Sequence, residues 1–371
     1  MIKPAKDSSH TNNRFTNLFR LRFKFTFSVY TLMIDLRSDT VTTPTPGMLQ
    51  AMIEAEVGDD VFGEDPTVNH FEKKMAGMFG MEAGLFVPSG VMSNQLCLHV
   101  LTNPGEEVIT DELGHIFNYE TGAAAHLSSI QLRPIKGVNG KLNPGIIESA
   151  IRPKNDWDPH TSVIAIENTT NKGGGAFYTR QELLEISNLA DKHGLYLHLD
   201  GARIWNAITA SGIEPEFFGS VADTISICFS KGLGAPIGSM MLADKEMIKK
   251  ARRMRKMLGG GMRQVGLLAA AAEYAVENHS QLLERDHENA KNFAKAISKN
   301  PLFNVDMASV FSNIVLFDVI DSDAETALEA FKKQGIGMVP FGPKTIRATF
   351  HFQITDENIS AILNVAKNIN F

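Results

Sequence analysis

Lys231 lies in Ser230-Lys231-Gly232-Leu233-Gly234-Ala235-Pro236, directly after the apolar run Thr224–Phe229. A lysine that opens a Gly-rich turn can sit in a partly desolvated pocket, where burial disfavours the ammonium and frees the amine to attack carbonyls. Asp200 comes 31 residues earlier, about one strand-helix-strand unit, so the two can stand at neighbouring strand ends. A carboxylate there can hold a proton on a pyridine nitrogen while the lysine condenses with an aldehyde, which is a protein's share of pyridoxal-phosphate (PLP) chemistry. Ser89-Gly90 follows a strand and opens a helix, where free N–H groups and the helix dipole suit a phosphate. Each feature alone has a plainer reading: a surface lysine in a turn, an Asp-Gly turn pair, one Ser-Gly loop among many. Gly173–Gly175 is followed by no Walker-type Gly-Lys-Ser/Thr, and no GxGxxG follows a strand, which weighs against a nicotinamide dehydrogenase.

The elements that must position these residues alternate. Strands are predicted at 85–87, 107–110, 162–167, 195–199 and 224–229, with helices at 91–101 and 180–193 between them. Gly194 is a natural helix stop. The alternation implies βαβ units and a mostly parallel sheet between helices, with ligands outside the carboxyl ends of the strands. Asn168, Asp200 and Lys231 stand at those ends. Beyond about Asn278 the pattern becomes α+β, with helices predicted at 280–298, 324–334 and 356–368 and strands at 313–318 and 346–350. The expected organisation is a basic extension over 1–32, a large catalytic domain over 33–278 and a small C-terminal α+β domain over 279–371.

Composition narrows the class. The 371 residues are 43% hydrophobic and 21% charged, with 30 Gly and 15 Pro, which is ordinary for a globular chain. Six Lys/Arg against one Asp fall in residues 1–32, leaving 30 basic and 41 acidic side chains in the other 339. A body of net charge −11 is a poor binder of nucleic-acid phosphates. No run of eighteen apolar residues exists to span a membrane. Two cysteines, Cys97 and Cys228, build neither a disulfide framework nor a Cys-rich zinc site, so a reducing, cytoplasmic compartment is expected. The alternation over 21–30 reads as a strand, unlike the helix of a transit peptide. Residues 1–32 are therefore read as a dispensable extension, with Met33 a later start.

Four motifs in order resemble the low-specificity L-threonine aldolases, PLP enzymes of fold type I. They are Ile34-Asp35-Leu36-Arg37-Ser38-Asp39-Thr40-Val41-Thr42, Gly58-Asp59-Asp60-Val61-Phe62-Gly63-Glu64-Asp65-Pro66-Thr67, His198-Leu199-Asp200-Gly201-Ala202-Arg203 and Phe229-Ser230-Lys231-Gly232-Leu233-Gly234-Ala235-Pro236. The resemblance implies that Lys231 carries the cofactor and that Asp200 partners its pyridine nitrogen. It places the phosphate on Ser89, Gly90 and Val91. It sets Arg203 near the cofactor's phenolic oxygen and the substrate carboxylate, with Ser38 and Arg347 also on that carboxylate. It makes His115 the histidine stacked on the cofactor ring, within reach of the substrate hydroxyl, and His160 a second active-site histidine, at a shorter spacing from the next strand than the family has. No metal is implied. Val91 stands where threonine is common and Thr170 where many members have histidine. Arg263-Gln264 resembles a segment that reaches the neighbouring subunit's cofactor.

The implied activity is retro-aldol cleavage of L-threonine, L-allo-threonine and related β-hydroxy-α-amino acids to glycine and an aldehyde. The implied assembly is a homodimer or homotetramer with active sites at the dimer interface. Rivals on the same scaffold are a β-eliminating lyase, an aminotransferase, a racemase and a catalytically silent PLP-binding regulator.

Overall fold

The computed structural model describes residues 33–371, and the readings made on residues 1–32 lie outside the described residues. After a short strand β1 (Ile34–Asp35), seven strands form the central sheet. They are β2 (Ala83–Val87), β3 (Glu107–Asp111), β4 (Gln131–Ile135), β5 (Thr161–Glu167), β6 (Tyr196–Gly201), β7 (Thr224–Cys228) and β8 (Ser239–Ala243). Their spatial order is β2-β8-β7-β6-β5-β3-β4. Only β8 runs against the others, pairing antiparallel with β2 and β7. All remaining pairs are parallel. The carboxyl ends of six strands therefore share one edge of the sheet. β3, β5, β7 and β8 are buried along their whole length, as strands covered on both faces must be.

Local chemistry sets the element ends. Helix Gly90–Leu101 starts on Ser89, whose Oγ accepts the Met92 N–H. Helix Arg180–His193 begins in a Thr179/Glu182 capping box and stops at Gly194, φ 65°. One core joins the sheet to its helices through Phe71, Phe86, Phe229 and Trp205, with the Phe71 and Phe229 ring centres 5.0 Å apart.

A second sheet follows, built from β9 (Phe303–Asn304), β10 (Ile314–Val319), β12 (Val339–Pro340) and β13 (Thr345–Thr349) in the order β12-β13-β10-β9. The intervening β11 (Ile336–Gly337) pairs instead with β1, in parallel. The second core includes Leu36 beside Phe293, Phe317 and Phe350. Residues 34–36 thus pack with the C-terminal layer, although they precede the central sheet in the chain. A boundary set by sequence order alone misses this, because β-pairing ignores chain distance.

Phe293 packs on Phe317 and Phe350 at 5.7 and 5.6 Å, and Phe350 directly follows β13, which carries Arg347. Phe293→Ala is expected to lower unfolding free energy by about 3–5 kcal/mol in a urea titration.

Candidate active site

Ser38, His115, Arg203, Lys231 and Arg347 line one cavity of about 520 Å³, together with Thr40, Tyr119, Asn171, Lys172, Val339, Pro340 and Phe341. The cavity opens at the carboxyl edge of the central sheet and is roofed by β12, β13 and the loop between them. The turn that follows β7 presents Lys231, half-buried, with its carbonyl accepting the Gly234 N–H at 2.8 Å. Gly234 has φ 79°, and a Cβ there would lie 2.4 Å from the Phe352 ring, so both the turn and its packing demand glycine. No hydrogen-bond acceptor reaches the Lys231 amine among the described residues.

Asp200 lies within β6 and pairs in register with Glu167 of β5. It is buried, and its Oδ2 accepts from Asn94 Nδ2 at 2.8 Å while Oδ1 accepts the Ala202 N–H at 3.0 Å. Burial and the Asp200 charge push Glu167 up to about 7. His115 follows β3, and its Nδ1 lies 2.8 Å from Glu120 Oε1. Burial pulls His115 down, but the Glu120 hydrogen bond and the Asp200 and Glu120 charges outweigh it and raise it. His115, Glu120 and Asp200 offer ligand atoms within 4.8 Å of one another. Hydrogen bonds from Asn94, Gln95 and His115 already engage these carboxylates, so the group is satisfied without an ion.

Arg203 departs from its expected use. Its Nε and Nη2 both donate to buried Asp39 at 2.8 Å, so the two-pronged edge belongs to the protein and not to a substrate carboxylate. Nη1 is left to Asn171 of the cavity lining, donating to its Oδ1 at 3.4 Å. Arg347 Nη1 donates to the same oxygen at 2.9 Å, and its Nε is buried without a partner. Burial and the neighbouring Arg203 charge lower Arg347 to about 10. Arg347 is thus a guanidinium short of a carboxylate. Ser38 Oγ accepts from Thr40 N and Thr40 Oγ1 beside it.

His160 is a correction. It is exposed and immediately precedes β5, at the amino edge of the sheet. Eight steps at about 3.3 Å each put it roughly 26 Å from Asn168 at the opposite edge. The shorter spacing was the signal: too few residues separate it from the strand for a loop to return to the other edge. Thr170 is buried and donates to the Asn139 carbonyl at 3.0 Å, outside the cavity lining.

The residues fit PLP on three observations. Helix Gly90–Leu101 leaves its first N–H groups, Gly90 and Val91 included, without intrahelical acceptors. A Cβ on Gly90 would sit 2.7 Å from Cys228 Sγ, so the helix start approaches β7 as only glycine allows. Asp200 is a buried carboxylate without a cation on it, and Lys231 a half-buried amine without an acceptor. Sequence reasoning missed Asn94, Glu120, Asn171, Lys172, Tyr119 and Phe341; Glu120, five residues past His115, was the most legible of them.

A family model described as beta-eliminating lyase matches residues 35–320, which places the chain in that class. It is 41% identical to a probable low-specificity L-threonine aldolase 2 of Arabidopsis thaliana over 91% of this chain and 97% of that protein. It is 38% identical to the low specificity L-threonine aldolase of Escherichia coli K12, over 89% and 97% respectively. A solved structure of a threonine aldolase from Leishmania major superposes with TM-score 0.78 at 23% identity, covering 90% of this chain and 98% of that one. The chain belongs to the low-specificity L-threonine aldolase family, PLP-dependent lyases of fold type I.

Asp39 is held down at about 2: burial alone would raise it, but the Arg203 charge and hydrogen bonds dominate. A depressed carboxylate stabilises the fold above its unfolded value, and that contribution is lost as pH falls toward 2. Asp39→Asn is expected to cost about 3–5 kcal/mol at pH 7 by stranding the Arg203 charge. Denaturant titrations should show the deficit shrinking between pH 4 and 2.

Proposed function

We propose that this protein cleaves L-threonine, L-allo-threonine and related β-hydroxy-α-amino acids to glycine and an aldehyde, with PLP as cofactor. The observation that carries the reading is the convergence of Lys231, His115 and carboxylate-short Arg347 on one cavity at the strand ends, with buried Asp200 behind His115 through Asn94 and Glu120. Bound PLP supplies an electron sink for the pair released when the substrate Cα–Cβ bond breaks. Lys231 would hold the cofactor aldehyde, Asp200 the proton at the pyridine nitrogen, and the N–H groups at Ser89, Gly90 and Val91 the phosphate. Arg347 and Ser38 would bind the substrate carboxylate, with Arg203 Nη1 at the edge. That clamp decides which bond at Cα is presented for cleavage, so it selects the reaction. His115, with Nδ1 committed to Glu120, has Nε2 free to take the β-hydroxyl proton. The balance is one Cα–Cβ bond broken, one O–H proton removed and one proton added at Cα.

The wider setting belongs to the same proposal. Residues 33–278, less the 34–36 segment that packs with the C-terminal layer, would form the catalytic unit and 279–371 a smaller one that closes over it. Two free, buried cysteines and the absence of any membrane-crossing helix among the described residues support a cytoplasmic enzyme. A second copy would cover the exposed apolar side chains Ile53, Phe62, Met257 and Leu267. They lie on neighbouring segments, since Asp60 N donates to Arg263 O at 3.1 Å.

PLP-loaded protein given L-threonine should release glycine and acetaldehyde in equal amounts, and Lys231→Ala should abolish the release. Keto acid plus ammonia from the wild type would favour β-elimination instead. For the assembly, light scattering should show a dimer or tetramer that Phe62→Asp dissociates; a monomeric wild type would end that part of the proposal.

A further inference from the structure

Glu120 is a fully buried carboxylate that no Lys or Arg touches among the described residues. Its Oε2 accepts from Gln95 Nε2 at 2.6 Å, and its Oε1 from Asn94 Nδ2 at 2.8 Å. Both donors are neutral. The remaining partner is His115 Nδ1, also on Oε1 at 2.8 Å. An anion taken out of water needs a positive partner, and the imidazole is the one group in contact that can become positive.

Asn94 joins this acid to the rest of the site. Its single amide nitrogen donates to both Glu120 Oε1 and Asp200 Oδ2, each at 2.8 Å. Its Oδ1 lies 3.3 Å from His198 Nε2, and His198 Nδ1 lies 2.9 Å from Thr224 Oγ1. With both Asn94 protons committed to carboxylates, its oxygen must accept, so His198 carries its proton on Nε2. Burial lowers His198 to about 4, which keeps it neutral and the direction of the chain fixed.

We infer that Glu120 is a positioning residue that acts through His115: it accepts the Nδ1–H bond, fixes the ring's tautomer and orientation, and leaves Nε2 as the only nitrogen able to exchange a proton in the cavity. Asn94 holds Glu120 and Asp200 at one separation, so the ring-facing histidine and the pyridine-nitrogen carboxylate are set by the same amide. The inference rests on the proposed activity only for its kinetic consequence. The groups that face His115 are Glu120, Asp200 at the end of β6, Glu167 of β5 (which accepts the His115 backbone N–H at 3.2 Å), Lys231, and Tyr119 with Lys172 against its ring. Removing the Glu120 charge leaves every other group in place.

Glu120→Gln is the substitution of choice because Gln95 Oε1 is a buried acceptor without a partner, so rotation of the Gln95 amide can receive the new N–H. Holoenzyme labelled with 15N-histidine, with the His115 signal assigned by its loss in His115→Asn, gives the titration midpoint directly. The wild-type midpoint is expected above the ordinary histidine value of about 6.5. Glu120→Gln should lower it by about one pH unit, move the histidine limb of the kcat profile the same way, and reduce kcat about tenfold with KM within about twofold. Glu120→Asp should recover part of the shift. In a His115→Asn background, Glu120→Gln should change kcat by less than about twofold, as for residues acting as one unit. A wild-type midpoint below 6.5, a midpoint that Glu120→Gln leaves unmoved, or an equal loss of kcat with and without His115 would overturn the inference. The wild-type titration decides even where the variants do not fold. Absence of glycine release by the wild type would instead fail the proposed activity, leaving the His115 titration to decide this point.

Discussion

The buried Asp39–Arg203 pair holds the two layers of this protein in register. Arg203 follows β6 and belongs to the central sheet; Asp39 follows Leu36, which packs in the second core. Asp39 Oδ2 also lies 3.5 Å from Asn313 Nδ2, and Asn313 Nδ2 donates to the Phe350 carbonyl at 2.9 Å, so the same carboxylate reaches the strands that carry Arg347. Two charges out of water require close geometry on both sides. The geometry they require is the one that sets β13 over the carboxyl edge of the sheet. The cavity exists because this ion pair fixes the roof relative to the floor.

Within the floor, parallel pairing creates an electrostatic problem and then localises its solution. Glu167 and Asp200 are register partners on adjacent strands, and Glu120 is tied to Asp200 through one amide. Three buried carboxylates side by side are unfavourable unless protons or cations are near. His115 answers one and Lys231 stands close by. Asp200 retains an open demand that a protonated ring nitrogen would meet. The arrangement thus reads as a scaffold whose electrostatic balance is completed by its cofactor.

How much of this was legible from sequence follows from which forces act locally. The parallel strands, the helix starting at Ser89-Gly90 and the stop at Gly194 are written in apolar runs and caps, and their positions agree with the structure to within a few residues. Strand β4 went unassigned because Gln131–Ile135 carries Arg133 and Pro134 and is only partly buried, and β8 because Ser239–Ala243 follows a Pro-Gly-rich turn and has no polar alternation. The partnership of β1 with β11 has no local trace, being a contact between distant segments. Lys231 and Asp200 announce themselves by position at strand ends. Asn94, Gln95 and Glu120 do not, because a polar residue inside a helix or turn looks like a solvated one until its partners are known. His160 failed for the converse reason: its residue type suggested chemistry, whereas its distance along the strand places it on the other edge.

Arg347 shows what the cavity lacks and therefore what it selects. Two guanidiniums, Arg203 and Arg347, share one neutral oxygen on Asn171, while the carboxylate bonded to them, Asp39, is taken up by Arg203. The Arg347 ring-facing side lies 4.6 Å over Phe341, its Nε has no partner, and Nη2 reaches only the Arg37 carbonyl at 3.0 Å. Like charges that close in a half-buried site raise each other's energy, and a ligand carboxylate relieves both. A carboxylate held there leaves the rest of the ligand among Lys231, His115, Tyr119, Pro340 and Phe341, which share the same lining. Lys231 and His115 offer an amine and a proton acceptor; Pro340 and Phe341 offer flat apolar surface with no directional hydrogen bond. Such a site is strict at the amino-acid end of a ligand and permissive at its β-substituent, because only the former meets charged and hydrogen-bonding groups that would be left unpaired by a misfit.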